Sequence, residues 1–483
     1  FNQLNNLLIE KDKFGKSNIG KNQKINIEFV SANPTGPLHI AHSRGAVFGD
    51  VLSNMMKSLG YEVTREYYMN DTGSQIEILA HSLFIRYKEL YNIFDETLGS
   101  NSYPGDYLID IANEIKKNYG EKWIKEEKDL RIKFFKEYAI EKITESIVND
   151  LKLIGIVFDN FISEKEIVKK KYIDLVFEKL KKKNLLYEGI LEKPKGESDL
   201  DWEPRKQLLF KSSELGDDLD RPFLKSNNEW TYFANDSAYH YFKIERKFSK
   251  LINIWGSDHI GYIKRMKSIV NVLSDNKIPL NIKVCQLVHL KKNSKLIKMS
   301  KRQGNIITIK DIANDVGSDI LRFFMIYRKS DSQMDFDIDK VKEETKDNPI
   351  FYIQYAYARS NSVINLSKET FKKNNFNLDL KFEDFYNYIS DDEYEIINLI
   401  LYWPELIENA VLNEEPHRII YYLENLSNLF HSFWNKGKED VNLRFIHDNN
   451  FNKTLSKILW IKSMQIVFNC AFKILGIKLL EKM

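Results

Sequence analysis

The chain contains, at residues 28–44, the stretch Glu28-Phe-Val-Ser-Ala-Asn-Pro-Thr-Gly-Pro-Leu-His-Ile-Ala-His-Ser-Arg44. Residues 25–30, which lead into it, alternate apolar and polar side chains and so predict a β-strand. The prolines of Asn-Pro-Thr-Gly-Pro then impose a turn, because proline fixes its own φ and keeps the preceding residue out of the helical region. Apolar spacing from residue 40 to 59 predicts a helix that stops at Gly60. The stretch is therefore a strand, a turn and a helix in direct succession.

Two histidines, His39 and His42, lie where this turn passes into the helix. The first N–H groups of a helix and the positive end of its dipole attract anions, and imidazole rings add further donors. A metal pair is less suited to this spacing, because no third histidine, glutamate or cysteine lies nearby. We interpret the turn as a phosphate site, with a purely structural pair of histidines as the open alternative.

The composition is that of a soluble globular protein: of 483 residues, 43% are hydrophobic and 29% are charged, with a formal net charge of +3. This length allows several domains, and the small net charge does not by itself indicate a nucleic-acid partner. Cys285 and Cys470 stand far apart, which predicts neither a disulfide framework nor a zinc site. The most apolar segment surrounds Cys470, and Asn469 and Lys473 interrupt it well short of a membrane span. We expect a cytoplasmic protein with no membrane partner, whose start lies upstream of Phe1.

Strands and helices alternate in the first part of the chain. After a polar connector at 1–24, a second strand is predicted at 61–69. A second helix follows to about residue 88, with Asp71 or Thr72 as its N-cap. Strand, helix, strand, helix is the pattern of a doubly wound parallel sheet, a Rossmann-like α/β fold.

Helices and then short strands come next. Residues 106–153 are helical and charged, and 165–183 predict one further helix with a lysine-rich face. We interpret that face as solvated, with contact to RNA as the alternative. Residues 185–224 predict short strands and turns. This whole part, about 106–228, is expected to be an insertion within a catalytic domain at 25–345.

A second strand-to-helix junction carries polar side chains. Lys250–Trp255 predicts a buried strand that ends in Gly256-Ser-Asp-His259 and passes into a helix. Parallel sheets bind ligands at such carboxyl ends of strands. One more strand is predicted at 281–290 and a helix at 318–327. From 346 to 483 the chain predicts successive amphipathic helices, and hence a separate all-α domain.

Residues 298–305 form a basic, glycine-containing loop with the sequence Lys298-Met-Ser-Lys-Arg-Gln-Gly-Asn305. Alone, such a loop could be any exposed basic segment. Here it follows, in order along the chain, the His39-x-x-His42 turn and Gly256-x-Asp258. A helix start with two histidines, a strand end with an acid and a loop with two lysines together predict a nucleotide site.

This ordered trio resembles the class I aminoacyl-tRNA synthetases, whose signatures are written HIGH and KMSKS, and most closely the bacterial type of arginyl-tRNA synthetase. The resemblance runs from about residue 25 to the C-terminus and rests on Ser31-Ala-Asn-Pro-Thr-Gly-Pro-Leu-His-x-x-His-x-Arg-Gly-Ala46, Asn70-Asp-x-Gly-x-Gln75, Trp255-Gly-x-Asp-His259, Lys298-Met-Ser-Lys-Arg-x-Gly-Asn305, Arg322-Phe-Phe-Met325, Asp347-Asn-Pro-x-Phe-Tyr-x-Gln-Tyr-Ala-x-Ala-Arg359 and Leu475-Gly-Ile477. The chain departs from the signatures at Ala41, where a glycine is usual, and at Arg302, which replaces the final serine. We expect the N-terminal domain of such synthetases to be missing from this chain.

The resemblance implies an arginine–tRNA ligase with an α/β catalytic domain and an all-α, helical-bundle anticodon-binding domain. Such an enzyme activates arginine with ATP to arginyl-adenylate and pyrophosphate, and then transfers arginine to the 3′-terminal adenosine of its tRNA. Mg²⁺ would arrive on ATP rather than at a dedicated protein site, and we expect a monomer. The alternatives are a non-catalytic tRNA-binding paralogue and a nucleotidyltransferase that handles no RNA.

His39, His42, Lys298 and Lys301 are the expected catalytic residues, because donors aimed at phosphate oxygens stabilise the charge of the transition state. The resemblance implies that these four bind ATP together with other residues of the same three elements. Those further residues are Pro34, Gly36, Ala41, Gly256, Asp258, Met299 and Ser300.

Two more sets of residues belong to the other substrates. Guanidinium groups are recognised by carboxylates in a forked geometry. The resemblance implies an arginine pocket that contains Glu28, Ser31, Asn33, Tyr232, Asp236 and His259. For the tRNA anticodon it implies Gln354, Tyr357 and Arg359. We favour Tyr357 and Arg359 over Tyr355 for contact with RNA, since Tyr355 and Ala358 have the spacing of a pair that packs in a helical core.

Overall fold

The computed structural model describes residues 2–191, 205–297, 307–372 and 387–483. Its strands are β1 (Lys24–Glu28), β2 (Glu62–Met69), β3 (Asn160–Ser163), β4 (Leu186–Gly189), β5 (Gln207–Phe210), β6 (Arg221–Leu224), β7 (Lys250–Gly256), β8 (Leu280–Cys285), β9 (Val288–Lys292), β10 (Lys295–Leu296) and β11 (Met334–Asp337). Its helices are α1 (Asn2–Glu10), α2 (Ile40–Ser58), α3 (Ser74–Glu89), α4 (Tyr107–Tyr119), α5 (Lys122–Lys125), α6 (Lys128–Leu153), α7 (Glu164–Lys169), α8 (Tyr172–Lys182), α9 (Tyr232–Glu245), α10 (Ile263–Leu273), α11 (Ile309–Val316), α12 (Ser318–Tyr327), α13 (Pro349–Thr370), α14 (Asp391–Leu401), α15 (Trp403–Asn413), α16 (His417–Glu439) and α17 (Phe451–Leu475).

Five parallel strands form the central sheet, in the order β3-β2-β1-β7-β8. From β1 the chain first winds outwards to β2 and β3, and later returns to place β7 and β8 on the other side of β1. Ile25 and Ile27 of β1 are buried in the sheet. This confirms the predicted doubly wound fold. The change of winding direction opens a crevice at the carboxyl ends of β1 and β7.

Two smaller sheets accompany the central one. Strands β4, β5 and β6 pair antiparallel, in the region where short strands were predicted, and β9 pairs with β10 and β11. The prediction of one strand at 281–290 is wrong, because β8 belongs to the central sheet and β9 to another. The chain changes direction at Gln286, whose carbonyl accepts a hydrogen bond from the buried Arg44 guanidinium (3.0 Å).

The lysine-rich segment differs from its prediction as one helix. It forms two helices, α7 and α8, because the backbone turns at Lys171, where φ is 59°. Lys179 and Lys183 of this segment lie 3.9 and 2.6 Å from the Asp275 carboxylate. Part of the lysine face therefore has counter-ions within the protein.

Strand β3 and helix α3 correct two more predictions. The N-cap of α3 is Gly73 rather than Asp71 or Thr72, since the Asp71 carboxylate accepts a hydrogen bond from the Ser163 hydroxyl of β3 (2.6 Å). β3 lies within the expected insertion at 106–228, yet it pairs with β2 in the central sheet. The inserted part is thus interrupted by a strand of the core.

The C-terminal part of the described chain is a bundle of helices, α13 to α17, as predicted. Its central helix is α17, in which Trp460, Met464 and Phe468 have no exposed surface. Among the described residues, α17 alone is long and apolar enough to cross a membrane, and 78% of its most apolar window is buried inside the protein. Its apolar sequence is explained by its place in the core of the bundle.

A buried arginine on α12 joins α2 to this bundle. Arg322 on α12 is 1% exposed and donates through Nε and Nη2 to the Leu475 carbonyl at the end of α17 (2.9 and 2.7 Å). Its Nη1 donates to the Ile154 carbonyl (2.8 Å), and its Nη2 pairs with Asp50 of α2 (2.5 Å). The motifs Arg322-Phe-Phe-Met325 and Leu475-Gly-Ile477 therefore meet in one joint.

Replacing Gly476, which follows α17 with φ of 67°, tests this joint. A Cβ at Gly476 would lie 2.4 Å from Arg322 Nη2. We expect Gly476→Ala to lower the free energy of unfolding by about 2 kcal/mol more than Gly216→Ala does. Gly216 also has a positive φ, 97°, but no atom lies within 4 Å of its added Cβ, so that variant reports backbone strain alone. Urea denaturation followed by circular dichroism measures both losses, and equal losses would contradict the role of the joint.

Candidate active site

The turn after β1 lies at the crevice and has a strained backbone. Val30 and Ser31 both have left-handed backbones, with φ of 69° and 41°. Such a conformation costs a β-branched residue about 1–3 kcal/mol and persists only where neighbours hold it. The Ser31 hydroxyl donates to Glu28 Oε1 (3.0 Å) and accepts from the Tyr68 N–H (3.1 Å). These bonds fix the turn before any ligand arrives.

The second half of the turn is held by α3 and by the start of α4. Asn33 Nδ2 donates to Gln75 Oε1 (2.8 Å), and the Tyr107 hydroxyl donates to the Thr35 carbonyl (2.6 Å). Pro34 is buried, and Gly36 is half-buried beside the Tyr107 ring. The turn is thus supported by two helices that follow it in the chain.

The two histidines begin α2 together. His39 is the N-cap, and its backbone N–H donates to His42 Nδ1 (3.2 Å). The two rings lie 3.7 Å apart between their centres, tilted by 31°. Ala41, between them, is half-buried. Both imidazoles therefore stand at the positive end of α2, as the phosphate interpretation requires.

The segment that follows the basic loop contacts the histidine turn. Lys298, Met299, Ser300 and Lys301 lie outside the described residues. The described chain resumes at Ile307, whose carbonyl accepts from the Ile40 N–H (3.2 Å), and the Ile309 N–H donates to the Leu38 carbonyl (2.9 Å). The segment that follows the loop is therefore hydrogen-bonded directly to the histidine turn.

The end of β7 forms the other side of the crevice. A Cβ on Gly256 would lie 2.5 Å from Asp258 Oδ1, so the bare backbone leaves room for that carboxylate. Asp258 and His259 are exposed, and His259 Nε2 lies 3.5 Å from Asp258 Oδ2. An exposed carboxylate at this place can accept hydrogen bonds from the hydroxyls of a ligand.

Carboxylates gather next to the turn. Glu28 and Glu164 are buried, and Asp236 on α9 is partly buried. Desolvation raises the pKa of Asp236 to about 7; the neighbouring Tyr262 hydroxyl opposes this shift, and the charges of Glu164 and Glu28 add to it. Burial likewise raises the pKa of Glu164. A cluster of buried carboxylates of this kind attracts a cation that can also donate hydrogen bonds to them.

Sequence analysis missed Glu164. It directly follows β3, and its Oε1 accepts a hydrogen bond from Nδ2 of Asn235, the neighbour of Asp236 on α9 (2.8 Å). Its place at the carboxyl end of a strand is the signal that led to Gly256 and Asp258. The signal is weak at Glu164 because β3 is only four residues long and lies between charged helices.

The predicted arginine-pocket residues are only partly brought together. Glu28 and Ser31 are in direct contact, and the charge of Glu28 acts on Asp236. Tyr232 lies one helical turn before Asp236, and it is 73% exposed. Within the described ranges, no hydrogen bond or ion pair joins Tyr232 or His259 to Glu28, Glu164 or Asp236.

Burial contradicts two of the residues predicted to contact RNA. Gln354 is 3% exposed, donates to the Lys478 carbonyl (2.7 Å) and accepts from the Leu480 N–H (2.9 Å). Tyr357 is 9% exposed and packs on Phe468. Both hold the bundle together, so neither offers a face to a ligand.

Tyr355, and not the Tyr357 that the sequence favours for contact with RNA, is the exposed aromatic of α13. It is 43% exposed, and the Arg359 guanidinium lies 4.2 Å from its ring centre and 4.5 Å from that of Trp434. Arg359 Nη1 also contacts His431 Nδ1 (3.1 Å). Of the two tyrosines, Tyr355 is thus the exposed one and Tyr357 the buried one, the reverse of what the sequence suggested.

Comparisons with known proteins agree with this geometry. The family described as tRNA synthetases class I (R), catalytic domain, matches residues 3–325, and the DALR anticodon binding domain matches 353–483. An arginine–tRNA ligase of Ruegeria pomeroyi is 43% identical over 99% of this chain and 82% of its own length. One of Wolbachia sp. subsp. Brugia malayi is 44% identical over 100% of this chain and 82% of its own. The fold is similar to that of Thermus thermophilus arginyl-tRNA synthetase, with a TM-score of 0.72 at 15% identity over 99% of this chain and 86% of the other.

Proposed function

The chain belongs to the class I arginyl-tRNA synthetases, and we propose from this premise how its residues join arginine to tRNA with ATP. In the first step the arginine carboxylate attacks the α-phosphate of ATP, which forms arginyl-adenylate and releases pyrophosphate. In the second step the 3′-terminal adenosine of tRNA attacks the arginyl carbonyl and AMP leaves. The non-catalytic paralogue is disfavoured, since a protein that only binds RNA needs neither the histidine turn nor the lysine loop.

ATP is assigned to the histidine turn and the end of β7. His39 and His42, with the N-terminus of α2, face the phosphates, where negative charge grows as the α-phosphate is attacked. The resemblance to the KMSKS signature assigns Lys298, Met299, Ser300 and Lys301 to the same phosphates. Pro34, Gly36 and Ala41 shape the turn, while Gly256 and Asp258 receive the ribose. Mg²⁺ enters on the ATP phosphates.

Arginine is assigned to the carboxylates next to the turn, and this is the observation that carries the proposal. Asp236 and Glu164 lie on neighbouring elements with raised pKa values, and a guanidinium supplies a positive charge and fixed donors that can pair with both carboxylates. Glu28, Ser31 and Asn33 at the turn then receive the α-amino and carboxylate end. Tyr232 and His259 cover the pocket from the outside. The substrate carboxylate thereby reaches the phosphate site.

Removing either acid tests the pocket. Asp236→Asn and Glu164→Gln are each expected to raise the KM for arginine by about 100-fold. Each variant removes a charge-assisted hydrogen bond worth about 1.5–3 kcal/mol and leaves only one of the two carboxylates to pair with the guanidinium. The measurement is charging of arginine tRNA by the purified chain, with the KM for ATP as the internal control. Unchanged KM values for arginine would overturn the pocket, and the absence of charging by the unaltered chain would overturn the activity.

Arginine binding is expected to strengthen as the pH rises through 7. The guanidinium stays protonated, and it needs Asp236 as a carboxylate, whose pKa is raised to about 7. Only about one-tenth of the free enzyme is competent at pH 6, so the Kd should be about tenfold higher there than at pH 8. Calorimetric titration at both pH values measures it. The Asp236→Asn variant is the control, and an equal pH dependence in that variant would contradict the assignment.

The anticodon is assigned to the exposed face around Tyr355 and Arg359. A ring backed by a guanidinium is a stacking surface for an unpaired base, and base stacking is worth about 1–3 kcal/mol. We expect Tyr355→Ala to raise the KM for tRNA by about tenfold and to leave the KM for arginine unchanged. Tyr357→Phe, on the same helix but buried, is the matched control. Equal effects of the two variants on the KM for tRNA would contradict the assignment.

A further inference from the structure

A fully buried lysine lies beside the arginine pocket. Lys243 on α9 has no exposed surface, and its Nζ lies 2.5 Å from Glu28 Oε2 and 3.2 Å from Asn253 Oδ1. The ammonium also sits 4.4 Å from the centre of the Tyr239 ring. A buried ammonium group persists only when it is paired and hydrogen-bonded in this way.

The contacts of Lys243 continue into a chain of hydrogen bonds with one possible direction. Lysine only donates, so Asn253 presents its Oδ1 to Lys243 and its Nδ2 to His240 Nε2 (2.9 Å). At the far end His240 Nδ1 meets the backbone carbonyl of Asp236 (2.8 Å), which only accepts. Burial lowers the pKa of His240 to about 3, so the ring is neutral, with its proton on Nδ1. Every link is thus satisfied in a single arrangement.

The other end of this chain reaches the strained turn. Glu28 Oε2 pairs with Lys243, while Glu28 Oε1 accepts from the Ser31 hydroxyl (3.0 Å). Ser31 is one of the two residues with left-handed backbones at the end of β1. Lys243 therefore links two sides of the pocket. One is the backbone of Asp236, where the guanidinium is assigned, and the other is Ser31, where the α-amino and carboxylate end of arginine is assigned.

We propose that Lys243 is a positioning residue for arginine, which fixes the distance between the two sides of its pocket and holds the Glu28 carboxylate in place. Lys243 supplies the counter-charge of Glu28 from inside the protein, so that Asp236 and Glu164 are left to pair with the guanidinium. This role rests on the arginine pocket proposed above.

Lys243→Met tests the role, because methionine keeps the length of the side chain and removes its charge and donors. We expect the KM for arginine to rise about tenfold or more, the loss of about one positioned hydrogen bond, while the KM values for ATP and tRNA stay unchanged. The matched control is Lys457→Met. Lys457 is equally buried, at 1% exposed, and is paired with the buried Glu393, but it lies in the helical bundle. Its replacement should lower the melting temperature without changing the KM for arginine.

The outcomes separate positioning from stability. An unchanged or lowered KM for arginine in Lys243→Met, or an equal rise in Lys457→Met, would overturn the proposal. If Lys243→Met does not fold, Asn253→Leu decides, since it breaks the chain between Lys243 and His240 without exposing a charge. It should also raise the KM for arginine alone, and an unchanged value would overturn the proposal. If the KM for arginine rises in Asp236→Asn but is unchanged in Lys243→Met and Asn253→Leu, the proposed arginine pocket stands and only the role of Lys243 is overturned.

Discussion

The parallel pairing of β1 with β7 is the constraint on which the rest of the molecule depends. It places Glu28 in register with Asn253, two residues that are far apart in the chain. Because parallel strands end at the same edge of a sheet, the histidine turn and Gly256 reach one crevice. The inserted helices and strands between β1 and β7 must then return to this edge, which brings α9 and its Asp236 behind the turn. The active site is a consequence of strand order.

Buried charges hold the parts in register. Arg322 connects α2 with the end of α17, Lys243 connects α9 with β1, and Lys457 pairs with Glu393 within the bundle. Replacing such pairs with apolar residues often costs little stability, whereas removing one partner is severe. Here these pairs specify which segments pack together, because the hydrogen bonds of each cation are satisfied only when its partner segments lie next to it. Arg322 and Lys243 pair with residues of α2 and β1, the two elements joined by the histidine turn, and Lys457 lies within the bundle.

Much of the fold and part of the site followed from local pattern. Periodicity and turn residues predicted β1, α2, β7 and the all-α C-terminal part, because proline, glycine and apolar spacing act within a few residues. The division between β8 and β9 did not follow from local pattern. It depends on the buried Arg44 guanidinium of α2, which donates to the carbonyl of Gln286 between the two strands. Glu164 escaped notice for a related reason, since a short strand shows its position only after it has joined a sheet.

The sequence by itself determined the chemistry that each segment carries: two histidines at a helix start, a basic loop, acids at strand ends and an aromatic helix. It could do so because these properties belong to neighbouring residues and to covalent geometry. Only the tertiary structure decided which side chains meet. Tyr355 faces solvent and Tyr357 the core, although either could have pointed outward, since the buried face of a helix is set by the elements that pack against it. The same holds for Lys243, whose pairing with Glu28 exists only because α9 packs beside β1 in the folded protein.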